Sequence, residues 1–211
     1  MKLAPCSNLI NMAFKYVINA SKKFNIDESH ALKHSMDVFH TATQIYNSEI
    51  IRHPYLSTQK NIIDVSSILH DMCDKKYVDE QQSIDDMNIC MQPYITLGEM
   101  EIVNTIISTM SYSTVTKNGF PNIPEYQLAY HIVREADLLC AYDPDRCIIY
   151  GIMRENLSYV DSTKRAIPLL ENRVLKYIDN NLFITDYSKA KSIFLHKECK
   201  HKLDILKGIL Y

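Results

Sequence analysis

The stretch Gln59-Lys60-Asn61-Ile62-Ile63-Asp64-Val65-Ser66-Ser67-Ile68-Leu69-His70-Asp71-Met72 sets the reading of the whole chain. Ile62, Ile63, Val65, Ile68 and Leu69 fall at helical spacing and predict a helix from about Gln59 to Met72 with those side chains inward. The apolar run ends on an adjacent imidazole and carboxylate, His70-Asp71. A charge buried without a partner is expensive, and a bound cation is one of the few cheap remedies.

Outward from this stretch the pattern stays helical. Leu9, Met12, Ala13, Tyr16, Val17 and Ala20 mark a helix with one buried face. Asp27 or Ser29 is expected to cap a second, carrying Leu32, Val38, Phe39, Ala42 and Ile45. Ser83 is expected to cap another that is stopped near Pro93. Met100 to Ser108 follows Gly98 with helix-like spacing, and residues 111–124, rich in Ser, Thr and Asn with a glycine and two prolines, predict a loop. The helical pattern resumes from Glu125 to about Tyr142, Asp143-Pro144 starts the next helix, and Thr163 to Asn180 and Asp186 to Lys207 give two more. The chain holds only 4 glycines, too few for the tight turns of a strand-rich fold. The expectation is an all-α single domain, residues 1–211, without repeat or linker.

Composition narrows the function. With 46% hydrophobic and 23% charged residues the chain is globular rather than disordered. A formal net charge of −2 argues against a surface that coats nucleic acid. No apolar stretch approaches the ~20 residues that span a bilayer, and the amino terminus lacks the apolar core of a signal peptide, so no membrane partner and a cytoplasmic location are expected. The 6 cysteines form no Cys-x-x-Cys pair, which excludes zinc-knuckle and thioredoxin-like signatures.

Two further ligand types stand at useful places: His34 upstream and Asp137 downstream. His34, His70, Asp71 and Asp137 together offer two neutral nitrogens and two anionic oxygens, a set suited to one divalent transition metal. Such mixed ligands favour Mn²⁺, Fe²⁺, Co²⁺, Ni²⁺ or Zn²⁺ over Ca²⁺. Four protein ligands leave two octahedral positions for water and a substrate oxygen.

In these residues the chain resembles the HD-domain metal-dependent phosphohydrolases. The resemblance spans a motif core from Asp27 to about Gly151, with the carboxyl-terminal helices of 162–207 packing on it. Ser29-His30-Ala31-Leu32-Lys33-His34-Ser35-Met36-Asp37-Val38 matches the first family block, Leu69-His70-Asp71 the second and Ala136-Asp137-Leu138-Leu139 the third. Asp74-Lys75-Lys76-Tyr77 resembles a subgroup with His-Asp-x-x-Asp-x-Lys. The resemblance implies a helical bundle of the HD-domain type with the metal at its centre, Mn²⁺ being favoured. It implies hydrolysis of phosphate esters or anhydrides, with nucleoside triphosphates cleaved to monophosphate and diphosphate as the leading substrate class. The extra histidines of two-metal members are missing from Ser108-Thr109-Met110-Ser111-Tyr112-Ser113, which favours one metal. A nucleotide-binding or sensing protein with little turnover, and a phosphohydrolase of a non-nucleotide metabolite, are the alternative readings; a homodimer is compatible with any of them.

The remaining polar residues acquire expected roles beside this set. Asp74, three residues after Asp71, would face the metal on a continuing helical turn and matches the family position that orients or deprotonates the attacking water. Lys76, and less specifically Lys75, are cations for a polyphosphate. Arg134, one helical turn before Asp137, is expected to face the substrate. Arg146 is a weaker candidate for phosphate or for bracing the site. His30 is expected to line the pocket. Tyr112 or Tyr142 could stack on a base.

Overall fold

The structure, a computed structural model, describes residues 6–210; residues 1–5, which carry most of the stretch considered for a leader segment, and Tyr211 lie outside the described residues. Among the described residues there are ten α-helices and no strand. In chain order they are α1 (Cys6–Phe24), α2 (Leu32–Glu49), α3 (Lys60–Leu69), α4 (Glu80–Met91), α5 (Leu97–Thr109), α6 (Tyr112–Asn118), α7 (Gln127–Cys140), α8 (Pro144–Met153), α9 (Tyr159–Asn172) and α10 (Asp186–Leu210). The all-α reading holds.

Helix α3 is the axis of the bundle. Every residue from Ile62 to Leu69 is buried, and the helix packs against α1, α2, α5 and α7. Its small residues Ser66 and Ser67 are fully enclosed. Asp64 is neutralised by Lys60 Nζ at 2.5 Å. Ile62, Ile63, Val65, Ile68 and Leu69 are at most 1% exposed, each contributing about 1.5–3 kcal/mol by leaving water.

Helix ends depart from the sequence expectations for identifiable reasons. Helix α3 stops at Leu69 rather than Met72, and residues 70–74 leave in tight turns (Met72 N to Leu69 O 2.9 Å, Asp74 N to Asp71 O 3.4 Å). Asp74 closes a further turn by accepting from Lys76 N at 2.9 Å, a local bond that competes with helix. Ala31, without a side-chain bond, stands at the N-cap of α2. Asp27 instead accepts from Ser29 N and Oγ at 3.0 and 2.5 Å. Helix α4 is capped by Asp79, which receives Gln82 N at 2.9 Å, while Ser83 is buried one turn inside. The expected loop at 111–124 contains α6, capped by Ser111. Helix α9 begins at Tyr159 on a Ser158 cap and ends at Asn172 rather than Asn180.

The scarcity of glycine has a simple counterpart. Asn25, Asn156 and Asn181 take positive φ (51°, 55° and 52°), the left-handed region that asparagine tolerates next to glycine. Asn25 follows directly on α1, where Ile26 N closes back on Ser21 O at 3.0 Å.

Two buried ionic side chains of α7 fasten the carboxyl-terminal part. Glu135 accepts from Ile184 N (2.6 Å), Thr185 N (3.2 Å) and Thr185 Oγ1 (2.7 Å). Arg134 donates to Leu182 O at 2.9 Å. Together they hold the turn before α10, which packs on α2, α7, α8 and α9. No helix among the described residues is long and apolar enough to cross a membrane.

Candidate metal centre

Three helices bring the four expected ligands together. His34 lies on the first turn of α2, His70 and Asp71 leave the end of α3, and Asp137 sits in the last turn of α7. His34 Nε2 is 3.0 Å from His70 Nε2. Asp71 Oδ2 lies 3.3 Å from each of these nitrogens. Asp137 Oδ1 lies 3.3 Å from His34 Nε2 and 3.8 Å from His70 Nε2. Both histidines are buried, 4% and 7% exposed, so no bulk water separates the four donor atoms.

The protonation pattern follows from the network. His70 Nδ1 is 2.9 Å from Ser67 O, a carbonyl that can only accept, so Nδ1 carries the proton and Nε2 points a lone pair inward. Burial alone would lower the His70 pKa, but Asp71 and Asp137 outweigh it and raise it. Burial opposes the charge of Asp71 and Asp137; the nearby histidines, and for Asp137 also Arg146, prevail and hold both carboxyls well below the usual range. Four electron-rich atoms this close repel one another unless a proton or a cation lies among them. The distances between the two histidine nitrogens and from them to Asp71 Oδ2 and Asp137 Oδ1, 3.0–3.8 Å, are edges expected around one ion with bonds of about 2.1 Å, and His34, His70 and Asp137 form the group whose ligand atoms all lie within 4.8 Å of one another. The residues could hold a metal ion.

Arg146 of α8 completes the charge balance. Its NH2 donates to Asp71 Oδ2 at 3.0 Å, its NH1 to Asp137 Oδ1 at 3.2 Å and its Nε to Ser29 O at 2.5 Å. One guanidinium thus bridges both carboxylates and ties them to the segment before α2. Its prominence had little sequence signal, only its closeness to Asp137.

His30, Asp71 and Asp74 form a second group whose ligand atoms lie within 4.8 Å of one another. His30 Nδ1 is 2.6 Å from Ser29 Oγ and 3.1 Å from Tyr77 Oη, and both hydroxyls donate to Asp27 (2.5 and 2.7 Å). With their protons committed, those oxygens accept from Nδ1–H and leave Nε2 as an acceptor. Burial, aided by Arg146 and Lys76 against the pull of Asp71, brings the His30 pKa down to about 4, so the ring is neutral at pH 7. His30 does line the cleft, beside Asp74. The route of Asp74 differs from expectation: it arrives on the turn after α3, not on a continuing helix, and its carboxylate pairs with Lys76 Nζ at 3.1 Å.

Asp71 and Asp137 line two adjoining clefts of about 320 and 420 Å³ that also share Asp74, Lys76 and Ser111, whereas His34 lines, with Arg146, a separate cleft of about 580 Å³. Lys76 lines both adjoining clefts. Lys75 lines only the larger of these two, where its side chain is 75% exposed and paired with Glu80 at 2.8 Å. Arg134 is a correction. It lines neither cleft, is 1% exposed, and extends away from the cluster toward Leu182 O and the face of Phe120, 5.1 Å from the ring centroid. The reach of its long side chain, not the position of its Cα, decides where the charge goes. His131 packs against Phe120 with ring centroids 4.9 Å apart and takes no part in the cluster. Arg165 and Arg173, which flank the smaller cleft from α9 and the residue after it, carry no motif and were not anticipated.

No family model matches the chain, and no curated protein matches it. A crystal structure of a protein from Lactobacillus plantarum, a Northeast Structural Genomics target, superposes with a TM-score of 0.68 over 98% of each chain at 17% identity. At that identity the likeness is one of fold.

Proposed function

We propose that the chain is a metal-dependent phosphohydrolase of the HD-domain type, cleaving phosphate anhydride or ester bonds of a nucleotide or related small molecule. The observation that carries this reading is the convergence of His34 Nε2, His70 Nε2, Asp71 Oδ2 and Asp137 Oδ1 from three helices, with Asp71 and Asp137 lining clefts large enough for a small phosphorylated molecule. A divalent ion held by these four, Mn²⁺ in the first instance, supplies Lewis acidity to water and to a phosphoryl oxygen.

The chain's own residues do the rest. Asp74 stands beside Asp71 with its carboxylate at the junction of the clefts, where it takes the proton of the attacking water. As the water oxygen bonds to phosphorus, the bond from phosphorus to the leaving oxygen breaks, and Lys76 neutralises charge on the phosphoryl group. The bridge from Arg146 holds both carboxylates in place before substrate arrives. Neutral His30 and the hydroxyl of Tyr77 fix the turn that carries Asp74.

Arg146 also favours a second reading. Its guanidinium already neutralises the two carboxylate oxygens that face the histidines, as in a binding or sensing protein with little turnover. One experiment separates the two: metal analysis, then phosphate and pyrophosphate release from mono-, di- and triphosphates with Mn²⁺, Co²⁺, Ni²⁺ and Mg²⁺, with Asp71→Ala as control. Release that disappears with the substitution supports the hydrolase. Retained turnover in a metal-free Asp71→Ala protein would sink it, and tight nucleotide binding without product selects the sensor.

A further inference from the structure

Cations without a carboxylate inside the cleft lie on one side of the smaller cleft. Asp71, Asp74 and Asp137 gather at one end, where Arg146 bridges the first and last and Lys76 pairs with Asp74, while Arg165 and Arg173 line the cleft from the α9 side. Arg173 has no carboxylate partner among the described residues; its guanidinium lies over the ring of Tyr112, 4.3 Å from the centroid. Arg165 lies 5.5 Å from the centroid of Tyr150, and Lys76 Nζ lies 6.0 Å from that same centroid. The carboxylate that Arg165 meets, Glu155 at 2.8 Å, does not line the cleft, and both side chains are about a third or more exposed (39% and 32%). An exposed pair of that kind is weak and is given up readily for a better anion.

This arrangement has a chemical meaning. An arginine held against an aromatic ring still has N–H groups to offer, and the guanidinium edge matches two phosphate oxygens at once, here in exchange for the present contacts of Arg173 with Tyr177 and of Arg165 with Glu155. Arg173 stands over Tyr112, and Arg165 and Lys76 stand near Tyr150, so the ring faces they cover orient cations instead of stacking on a base. Resting on the rings also restricts the arginines before any ligand arrives, which lowers the entropy lost on binding.

Building on the hydrolase reading, we infer that Arg165, Arg173 and Lys76 form a subsite for the phosphates beyond the one attacked. The cleft therefore selects a phosphate chain over a monoester and discriminates little among bases. The shared chemistry is a polyphosphate chain, which a nucleoside triphosphate and inorganic tripolyphosphate both present.

The test is calorimetric titration of the full chain, in Mn²⁺ and again after chelation, with orthophosphate, pyrophosphate and inorganic tripolyphosphate. Affinity is expected to climb at least about tenfold from orthophosphate to tripolyphosphate. Arg165→Gln with Arg173→Gln is expected to remove most of that climb. The corresponding double lysine variant should keep part of it, and its melting temperature controls for folding. ATP, GTP, CTP and UTP should bind within a few-fold of one another. Nucleotides tighter than tripolyphosphate identify a nucleotide as the ligand; equal affinities identify the bare chain. Equal affinity for orthophosphate and tripolyphosphate, or an unaffected double glutamine variant, overturns the subsite, and strong preference for one base overturns its indifference. Binding is read without turnover, so absence of phosphate release would sink the hydrolase reading while leaving a chain-length series to stand or fall by itself.

Discussion

Gly151 of α8 meets Ser162 of α9 so closely that a Cβ on the glycine would stand 2.7 Å from Ser162 Oγ and 2.9 Å from its Cβ. The missing side chain is what lets the two helices cross, and α9 bears Arg165 three residues further on. Gly151→Ala is expected to destabilise the chain by about 1–3 kcal/mol through overpacking, read as a lower urea midpoint. Ser162→Gly in the same chain should recover part of that loss. An unchanged midpoint for the single variant would mean the helices separate freely.

Arg146 and the two carboxylates it bridges give a prediction about the ion. Arg146→Ala leaves Asp71 and Asp137 adjacent without their cation, a loss expected to cost about 3–5 kcal/mol in metal-free protein. Added Mn²⁺ is expected to bind the folded chain and to restore much of the stability by mass action. Thermal melts of wild type and variant, with and without Mn²⁺, decide it: equal deficits in both conditions would contradict the shared role.

The acid side of stability should bear the mark of His131. Burial, aided by the charge of Arg134, pushes its pKa from 6.5 down to about 4. The unfolded chain therefore takes up this proton first, and stability falls as pH drops from about 6.5 toward 4, by up to about 1.4 kcal/mol per unit. Above that window the ring is neutral in both states and contributes no slope. His30, also near 4, adds to the same window. His131→Phe should give a shallower fall between pH 6.5 and 5 in urea titrations; parallel curves for the two proteins would refute the assignment.

Tyr77 links the turn after α3 to the segment before α2 through Asp27, at 2.7 Å, and through His30. Removing the hydroxyl in Tyr77→Phe takes a donor from a carboxylate, a loss of about 1.5–3 kcal/mol. Hydrogen exchange should show faster opening of residues 70–77 than of the α3 interior. Uniform acceleration across α3 would show that the turn has no stability of its own.

The candidate metal ligands were legible because each is a chemically distinctive residue set against an apolar helical pattern: His70-Asp71 at the end of Ile68-Leu69, and Asp137 before Leu138-Leu139. The ends of helices were less so. Ser83 and Asp79 are both good caps by type, and the backbone turn after Tyr77 chose Asp79. Helix α6 was hidden by its Ser, Thr and Asn content, yet Ser111 caps it and Thr116 donates back to Tyr112 O at 2.7 Å. Arg134 and Arg165 show the limit most clearly. Spacing put the first beside Asp137, but its side chain reaches the other way. The second comes to the cleft from a helix nearly a hundred residues beyond His70, and no local pattern encodes that meeting.

The clasp between Glu135 and the turn at 184–185 has a mechanical consequence. It joins the root of the last helix to α7 only two residues before Asp137, so loosening the clasp is expected to be felt beside a candidate ligand.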